Sequence, residues 1–204
     1  VFASNNGSEM WVMMLEKAYA KMYGSYSKLY SGDPQQAFRD FLGMPTRGVT
    51  VGSDQNLFLK ASKWLKKGWC IVAESRASSD EVNLDSVGLI PSHVYSFVDA
   101  HEALQHSLVK LRDPIGKDTW KGSWNDDDDA RWTDEAKKQF NFEKADDGQF
   151  WMSWTDFSTY FSRLNVCIMD KSQSEKRVIC KQSNIRTEKF AIVQAFKLFF
   201  SSQT

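Results

Sequence analysis

Hydrophobic and polar residues in the centre of the chain predict a pair of β-strands. In residues 88–116, two apolar runs rich in β-branched side chains flank the short polar segment 101–106, which is typical of two strands joined by a turn. His93 stands at the start of the first run and Asp113 at the end of the second. The outer ends of an antiparallel strand pair lie side by side, so we expect the imidazole and the carboxylate to come within hydrogen-bonding distance.

Apolar residues at helical spacing predict three helices before this strand pair. In the first helix, Trp11, Leu15, Ala18 and Met22 recur along one face, and we expect that face to pack on the core. Capping residues mark the helix starts, and glycines mark the ends. The first predicted helix is residues 9–23, which follow a weak capping box of Asn6 and Glu9 and precede Gly24. The second begins at Asp33 and Pro34 and ends before Gly43, and the third is capped by Asp54 and ended by Gly68.

Shorter apolar runs predict the remaining strands and helices, and their order indicates the fold class. Helices come first and are followed by strands with short helical insertions, which favours an α+β fold whose N-terminal helices pack on a mostly antiparallel, sheet-like or barrel-like core. The apolar segment 190–200 fits a strand or a helix equally well. The predicted strands are residues 49–51, 69–74, 150–153 and 164–169. The predicted short helices are residues 134–140, which follow Thr133, and residues 155–161. Residues 75–87 are predicted to be a loop, and residues 146–148 a turn.

The composition limits the class of protein. The chain has 204 residues, of which 42% are hydrophobic and 14% aromatic, which suits one folded domain with a real core and argues against disorder. Lys and Arg together number 26, as do Asp and Glu, so the net charge gives no indication of nucleic acid or of an anionic membrane as a partner. No apolar run approaches the roughly 18 residues needed to span a bilayer.

Three cysteines, Cys70, Cys167 and Cys180, stand far apart in the chain. An odd number at this spacing is neither a disulfide framework nor a metal clip, and it favours a reducing, cytoplasmic or other intracellular compartment. The chain begins at Val1 without Met and shows no signal peptide, and we expect it to be part of a longer protein.

Other candidate motifs give weaker signals. His101 and His106 are five residues apart, which would place them about 140° apart around a helix and predicts an exposed turn, not a zinc site. The acidic run 126–129 lacks the Gly and the distal Glu of an EF-hand loop, and fits a solvated loop or a Ca²⁺ site shared with another turn. No phosphate-binding loop or nucleophile elbow occurs, so no organic cofactor is expected. His93 alone would more often be structural than catalytic.

Several short segments, in a fixed order, give a more specific indication. They are LEKAYAKMY followed by GSY at residues 15–26, SHVYS at 92–96, LRDPIG at 111–116, GSW at 122–124, DGQFWMS at 147–153 and RLNVC at 163–167. Together they resemble the calpain family of cysteine endopeptidases. The resemblance implies a papain-like fold in which residues 1–169 are the second, His-bearing subdomain of the peptidase core. It leaves residues 170–204 as a C-terminal extension without an assignment.

The resemblance also implies the roles of the central residues. His93 matches the family's catalytic base, and Asp113 stands where the family has an Asn that orients the base. The family's nucleophilic Cys lies in an upstream subdomain, and none of the three cysteines of this chain matches it. The implied partner is therefore that upstream subdomain, the implied substrate is a polypeptide, and the isolated chain is expected to be inactive.

Two replacements lie beside the catalytic position. A carboxylate at Asp113 can hold an imidazole in the correct tautomer, as it does in Ser-His-Asp sites, so the change from Asn is compatible with catalysis. Ile115 replaces a Trp that shapes and shields the family's cleft. Together with the calcium-loop changes below, these departures leave open a non-catalytic relative that serves as a binding or regulatory module.

The calcium loops implied by the resemblance also depart from the family. Asp126 and Asp147 match acidic ligands, whereas Thr119 and Gln149 stand where the family has Glu. Because Ca²⁺ affinity follows the charge of the ligands, we expect this half of the core to bind calcium weakly, if the neighbouring acidic residues do not compensate.

Overall fold

The computed structural model describes residues 10–79, 82–116 and 120–170. Within these ranges the chain forms five α-helices, two short 3₁₀-helices and six strands, and no helix there has the length and apolar character needed to cross a membrane. The α-helices are α1 (Trp11–Tyr23), α2 (Pro34–Leu42), α3 (Leu57–Lys66), α4 (Asp134–Phe140) and α5 (Trp154–Tyr160), and the 3₁₀-helices are Tyr26–Leu29 and Asp85–Val87. The strands are β1 (Thr46–Thr50), β2 (Cys70–Ser75), β3 (Val94–Ala103), β4 (His106–Arg112), β5 (Gln149–Ser153) and β6 (Phe161–Cys167).

The six strands form one antiparallel sheet in the order β1-β6-β2-β3-β4-β5. Helix α2 contacts β1 and β6, and helix α3 contacts β2 and β3. This arrangement confirms the predicted α+β fold with a mostly antiparallel core. In the part of the chain that the structure describes, the sheet is open, with β1 and β5 at its edges.

Strands β4 and β5 are buried on both faces. Leu111 and Met152 point into the main core, which also contains residues of α3 and α5, whereas Leu108 and Trp151 belong to a second cluster on the other face. Burial on both faces removes the alternation of polar and apolar residues that marks a one-sided strand. The other large members of the second cluster are Trp124, Trp132 and Phe140.

The predicted helix ends are largely confirmed by the capping contacts. The Asp33 carboxylate accepts a hydrogen bond from the Gln35 amide, and Gly43 follows α2 with φ 63°. The Thr133 hydroxyl accepts from the Ala136 amide at the start of α4. Asp54 accepts from the Asn56 amide, so it lies two residues before the cap position of α3 and turns the chain into the helix instead of capping it.

The apolar stripe of α1 does not pack on the core, so that prediction is wrong. Trp11 is 64% exposed and Met22 is 61% exposed, and Leu15 and Ala18 are exposed as well. The helix is held instead through Tyr19, whose ring packs on Phe41 of α2 and whose hydroxyl donates to Asp40. Tyr19 stands one helical turn after Leu15, so α1 is anchored at the border of the exposed stripe and not through the stripe itself.

The exposed hairpin turn predicted at residues 101–106 is present, but it is shorter than predicted. β3 continues to Ala103 and β4 begins at His106, so the turn consists of Leu104 and Gln105 alone, with φ values of 50° and 64°. Two consecutive left-handed residues are the geometry of a type I′ hairpin turn, which usually takes Asn or Gly. The sequence lacks those residues and therefore gave no signal for so tight a turn.

The remaining strand and helix boundaries differ from the prediction by a few residues. β6 begins at Phe161, three residues before the predicted start, and β1 is longer than the predicted 49–51 segment. The capping box of Asn6 and Glu9, Thr119, Cys180 and the apolar segment 190–200 lie outside the described residues.

Candidate functional site

His93 and Asp113 meet at the corner where β3 begins and β4 ends. The two strands pair with Ser96 opposite Arg112, which brings the residues just beyond this end of the ladder together. The distance between His93 Nε2 and Asp113 Oδ1 is 3.2 Å. The predicted contact between imidazole and carboxylate is therefore present.

The Asp113 carboxylate is fixed by backbone groups around it. Its side chain is 1% exposed, and Oδ1 also accepts a hydrogen bond of 2.9 Å from the Ile115 amide. The Asp113 amide donates to the Gly148 carbonyl at 2.8 Å, and the Gly116 amide donates to the Asp113 carbonyl at 3.0 Å. A buried acceptor with two donors keeps one orientation, so the imidazole meets a pre-positioned partner.

The position of His93 depends on β2. The His93 amide donates to the Ser75 hydroxyl at 2.9 Å, and the Ser75 amide donates to the His93 carbonyl at 2.9 Å. The imidazole lies edge-on to the Tyr95 ring, with centroids 4.9 Å apart. Sequence reasoning did not identify Ser75, because the contact joins residues 18 apart in the chain and a serine at the end of a strand carries no signal of its own.

Tyr95 forms the buried floor beside the pair. Its hydroxyl accepts a hydrogen bond of 2.9 Å from the Ile90 amide, and the residue is fully buried. Burial, together with the nearby negative charge of Asp113, raises the pKa of Tyr95 to about 12. The hydroxyl is therefore neutral at physiological pH, and its hydrogen bond with the Ile90 amide fixes the backbone just before His93.

The imidazole retains an open side. The side chain of His93 is 24% exposed, and its neighbours Ser92 and Val94 line a cavity of about 890 Å³. Because Nε2 contacts Asp113, Nδ1 is the nitrogen left to face a reacting group. Ile115, at the position of the family's cleft Trp, is 62% exposed on the turn after Asp113.

The two cysteines of the described ranges lie away from His93. Cys70 is the first residue of β2 and Ser75, which holds His93, is the last. Five strand residues correspond to roughly 16 Å. Cys167 pairs with Cys70 across the sheet, so it lies at the same distant end, and neither thiol is placed to act on this imidazole.

The candidate calcium residues Asp126 and Asp147 are close enough to influence each other. Burial raises the pKa of Asp126, and the charge of Asp147 adds to that rise. Each carboxylate already accepts protein donors: Asp126 Oδ2 accepts from the Ala145 amide at 3.3 Å, and Asp147 accepts from the Gln149 amide at 2.9 Å and from the Gln149 side-chain amide. The Gln149 amide hydrogen bond is the main reason why the pKa of Asp147 lies below its ordinary value.

Two further carboxylates of the acidic run also have protein donors. Asp127 accepts from the Lys144 ammonium, and Asp128 accepts from the Arg131 guanidinium at 2.9 Å and from the Trp124 amide at 2.8 Å. Within the described ranges, no group of three or more His, Cys, Asp and Glu side chains could hold a metal ion. The carboxylates of Asp126, Asp127, Asp128 and Asp147 thus all have protein donors in this structure.

The loop that carries Asp147 touches the turn that carries Asp113. Gly148 has φ 78°, and a Cβ added there would lie 2.8 Å from Gly116 Cα and 3.0 Å from the Asp113 carbonyl oxygen. Only glycine fits this approach. The candidate calcium loop and the His93 partner are therefore in direct backbone contact.

His101 and His106 lie on the hairpin and have structural surroundings. The His101 ring is edge-on to Phe140 at 5.4 Å, and the His106 ring is inclined to Trp124 at 4.9 Å. Both rings therefore pack on the second aromatic cluster.

Comparison with known proteins assigns the chain to a family. The family model described as "Calpain family cysteine protease" matches residues 1–168. The chain is 36% identical to calpain-8 of Rattus norvegicus over 177 residues and 37% identical to the calpain-2 catalytic subunit of Mus musculus over 175 residues, each covering 80% of the chain. It is 34% identical over 170 residues, 78% of the chain, to the calpain-type cysteine protease DEK1 of Arabidopsis thaliana.

The aligned segment is a small part of each relative. It spans 24% of calpain-8, 25% of the calpain-2 catalytic subunit and 8% of DEK1. The family match nevertheless covers most of this chain, and the ordered motifs and the α+β fold agree with it. The chain belongs to the calpain family of cysteine proteases.

Proposed function

We propose that residues 1–169 are the His-bearing subdomain of a calpain-type cysteine endopeptidase, and that residues 170–204 are an extension beyond the core. The observation that supports this most strongly is the 3.2 Å contact between His93 Nε2 and Asp113 Oδ1, with Asp113 buried and the imidazole partly exposed. The pattern of cysteines further favours an intracellular protein.

In this proposal, His93 is the general base and Asp113 its positioning residue. An upstream subdomain supplies a Cys thiol, whose proton passes to Nδ1 of His93 while the thiolate attacks a peptide carbonyl. The imidazolium then returns the proton to the leaving amine, and a water molecule activated by the same imidazole releases the acyl group. Asp113 holds the Nε2–H tautomer throughout and stabilises the imidazolium that forms.

The test compares the 204-residue chain with a longer polypeptide that includes the upstream subdomain. The chain alone is expected not to hydrolyse a peptide substrate, whereas the longer polypeptide does. His93→Ala in the longer polypeptide should lower kcat/KM by about 10³-fold or more, because the base is lost. Turnover that survives His93→Ala would exclude the assignment.

A matched pair of substitutions separates orientation by Asp113 from simple folding. Asp113→Asn keeps an oxygen that can accept from Nε2–H and from the Ile115 amide, so kcat/KM should stay within about tenfold of the starting value. Asp113→Ala removes the acceptor and should lower kcat/KM by about 10²-fold or more, with the folded state checked by circular dichroism. Equal activities for the two variants would contradict the role of Asp113.

Calcium binding by this half of the core is proposed to be weak. Protein N–H donors already contact Asp126 and Asp147, and Gln149 contributes no charge to a cation. Calorimetric titration of the chain with Ca²⁺ should show no submicromolar site. Gln149→Glu adds an acidic ligand and should tighten binding by about tenfold, and submicromolar affinity without that change would contradict the proposal.

A second candidate function is a non-catalytic calpain relative that acts as a binding or regulatory module. It is favoured by the combined departures at four positions of the sequence, Asp113, Ile115, Thr119 and Gln149. The residues upstream of Val1 distinguish the two functions. A Cys in the family's nucleophile motif supports the enzyme, and another residue at that position supports the module.

A further inference from the structure

Cys70 and Cys167 face each other across two neighbouring strands. Cys70 is the first residue of β2, Cys167 is the last residue of β6, and the two are direct partners in the antiparallel register. Side chains of directly opposed residues lie on the same face of a sheet. The strands therefore bring together two thiols that stand far apart in the sequence.

The hydrogen bonds of β6 show which kind of pair this is. The Ile168 amide donates to the Pro45 carbonyl, on the side of β1, so the backbone of the preceding residue, Cys167, faces β2. Cys70 and Cys167 thus occupy a hydrogen-bonded position, where Cα atoms are about 5.5 Å apart. That separation lies within the range of roughly 4.4–6.8 Å found for disulfides.

The two thiols differ in their access to solvent. Cys70 is exposed, whereas Cys167 is buried, with Sγ 3.8 Å from Met169 Sδ. A dissolved oxidant can therefore reach Cys70 first, and Cys167 can react only with a sulfur that is already next to it. In this order of reaction Cys70 is the exposed, attacking cysteine and Cys167 is the resolving cysteine.

We propose that Cys70 and Cys167 form a reversible redox pair that is oxidised to a cross-strand disulfide by small-molecule disulfides such as oxidised glutathione. The Cys70 thiolate attacks one sulfur of the oxidised glutathione and expels the first glutathione thiolate. Cys167 then loses its proton and attacks the Cys70 sulfur, which expels the second. Two protein thiols become one disulfide, and one glutathione disulfide becomes two glutathione thiols.

The geometry makes this bond reversible instead of permanent. Opposed Cβ atoms at such positions lie about 4.5–5.5 Å apart, whereas a relaxed disulfide holds them near 3.8 Å. Strand ends must approach each other to close the bond, and a strained disulfide is more easily reduced. The bond would tie β6 to β2, the strand whose Ser75 holds His93, and this inference does not depend on the proposed peptidase function.

The test uses the full 204-residue chain with Cys180→Ser, which leaves only the two cysteines of the pair. The folded protein is incubated with increasing ratios of oxidised to reduced glutathione, quenched with acid, alkylated and digested for mass spectrometry. We expect a peptide pair joined through Cys70 and Cys167, the loss of two hydrogens from the intact mass, and full reversal by dithiothreitol.

The matched control is the same chain with Cys167→Ser added. Without its resolving partner, Cys70 should retain one glutathione under the same conditions, and the intramolecular peptide pair should be absent. The chain with Cys180 intact is digested in parallel, so that a folding defect of Cys180→Ser does not decide the result. Stable glutathione on Cys70 while Cys167 is present, a disulfide to Cys180, or a disulfide-linked dimer would each overturn the proposal.

Discussion

A buried carboxylate beside a partly exposed imidazole is the central chemical feature of this chain. Asp113 is almost completely buried, and its orientation is set by the Ile115 amide as well as by His93. The acidic run 126–129 has four carboxylates, but those of Asp126, Asp127 and Asp128 contact lysine, arginine or backbone donors of the surrounding loops. The number of acidic residues therefore says less about function than the partners that each one meets.

Tyr95→Phe tests the buried support beneath His93. The substitution leaves the Ile90 amide without its acceptor and should lower the free energy of unfolding by about 1 kcal/mol, because a partly buried donor loses its hydrogen bond. Urea denaturation near neutral pH measures the change. An unchanged free energy of unfolding would show that water satisfies the Ile90 amide equally well.

The same tyrosine should make stability fall in alkaline solution. The pKa of Tyr95 is raised from 10.0 to about 12, so the fold favours the neutral hydroxyl. Its contribution is complete below pH 10 and is lost as the pH rises through about 12, since the unfolded chain releases the proton first. Unfolding free energies measured across this range should fall more steeply for the unaltered chain than for Tyr95→Phe, and equal slopes would contradict the expectation.

The turn after β4 and the loop before β5 behave as one structural unit. The Asp113 amide donates to the Gly148 carbonyl, and Gly148 packs directly on Gly116. A displacement of the loop must therefore move the backbone that carries the Asp113 carboxylate. We therefore expect a substitution in the Asp147 loop to change the site without touching His93.

Gly148→Ala tests this coupling. A left-handed backbone alone costs a non-glycine residue about 1–2 kcal/mol. Gly148 has φ 78° and close neighbours as well, so the alanine variant should lose more free energy of unfolding than that. The displaced Asp113 should also shift the ring nitrogen signals of His93 in ¹⁵N NMR spectra.

Gly52→Ala is the matched control for Gly148→Ala. Gly52 has φ 88° but no atom within 4 Å of an added Cβ, so only the backbone strain remains. It should lower the free energy of unfolding by about 1–2 kcal/mol and leave the His93 signals unchanged. Equal effects of the two substitutions on His93 would show that the contact with Gly116 carries no coupling.

The sequence predicted helix ends better than it predicted the centre of the hairpin turn. Asp33 with Pro34, Gly43 and Thr133 marked helix ends correctly because capping joins residues two or three apart. The hairpin turn was predicted over residues 101–106, but its restriction to Leu104 and Gln105 was not, since neither residue favours a left-handed backbone. There the pairing of two long strands overrides the local preference.

For the chain as a whole, α1 exposes a stripe of large apolar side chains. Trp11, Leu15 and Met22 lie along one stripe and are all exposed, which is unusual for a cluster of large apolar side chains. Exposed apolar patches of this kind are typical of contact surfaces, so we expect the stripe to make the chain self-associate in concentrated solution.

Leu15→Lys combined with Met22→Lys tests the stripe. The double variant should reduce concentration-dependent self-association of the chain in sedimentation experiments, because charged side chains disrupt an apolar contact, and should change the free energy of unfolding by less than about 0.5 kcal/mol per site. Leu59→Lys alters a single exposed apolar residue of α3 and should leave association unchanged. Equal self-association of the double variant and the unaltered chain would remove the stripe as a contact surface.

The α+β class and the meeting of His93 with Asp113 followed from the order of residues, because helix caps and hairpin pairing link positions that are close or symmetric along the chain. Other features depend on the order of strands in the sheet. That order places Ser75 against His93, Cys70 opposite Cys167, and Gly148 against the Asp113 turn. Such contacts join distant segments through packing and long-range hydrogen bonds, and no local pattern of side chains encodes which distant segment will be the neighbour.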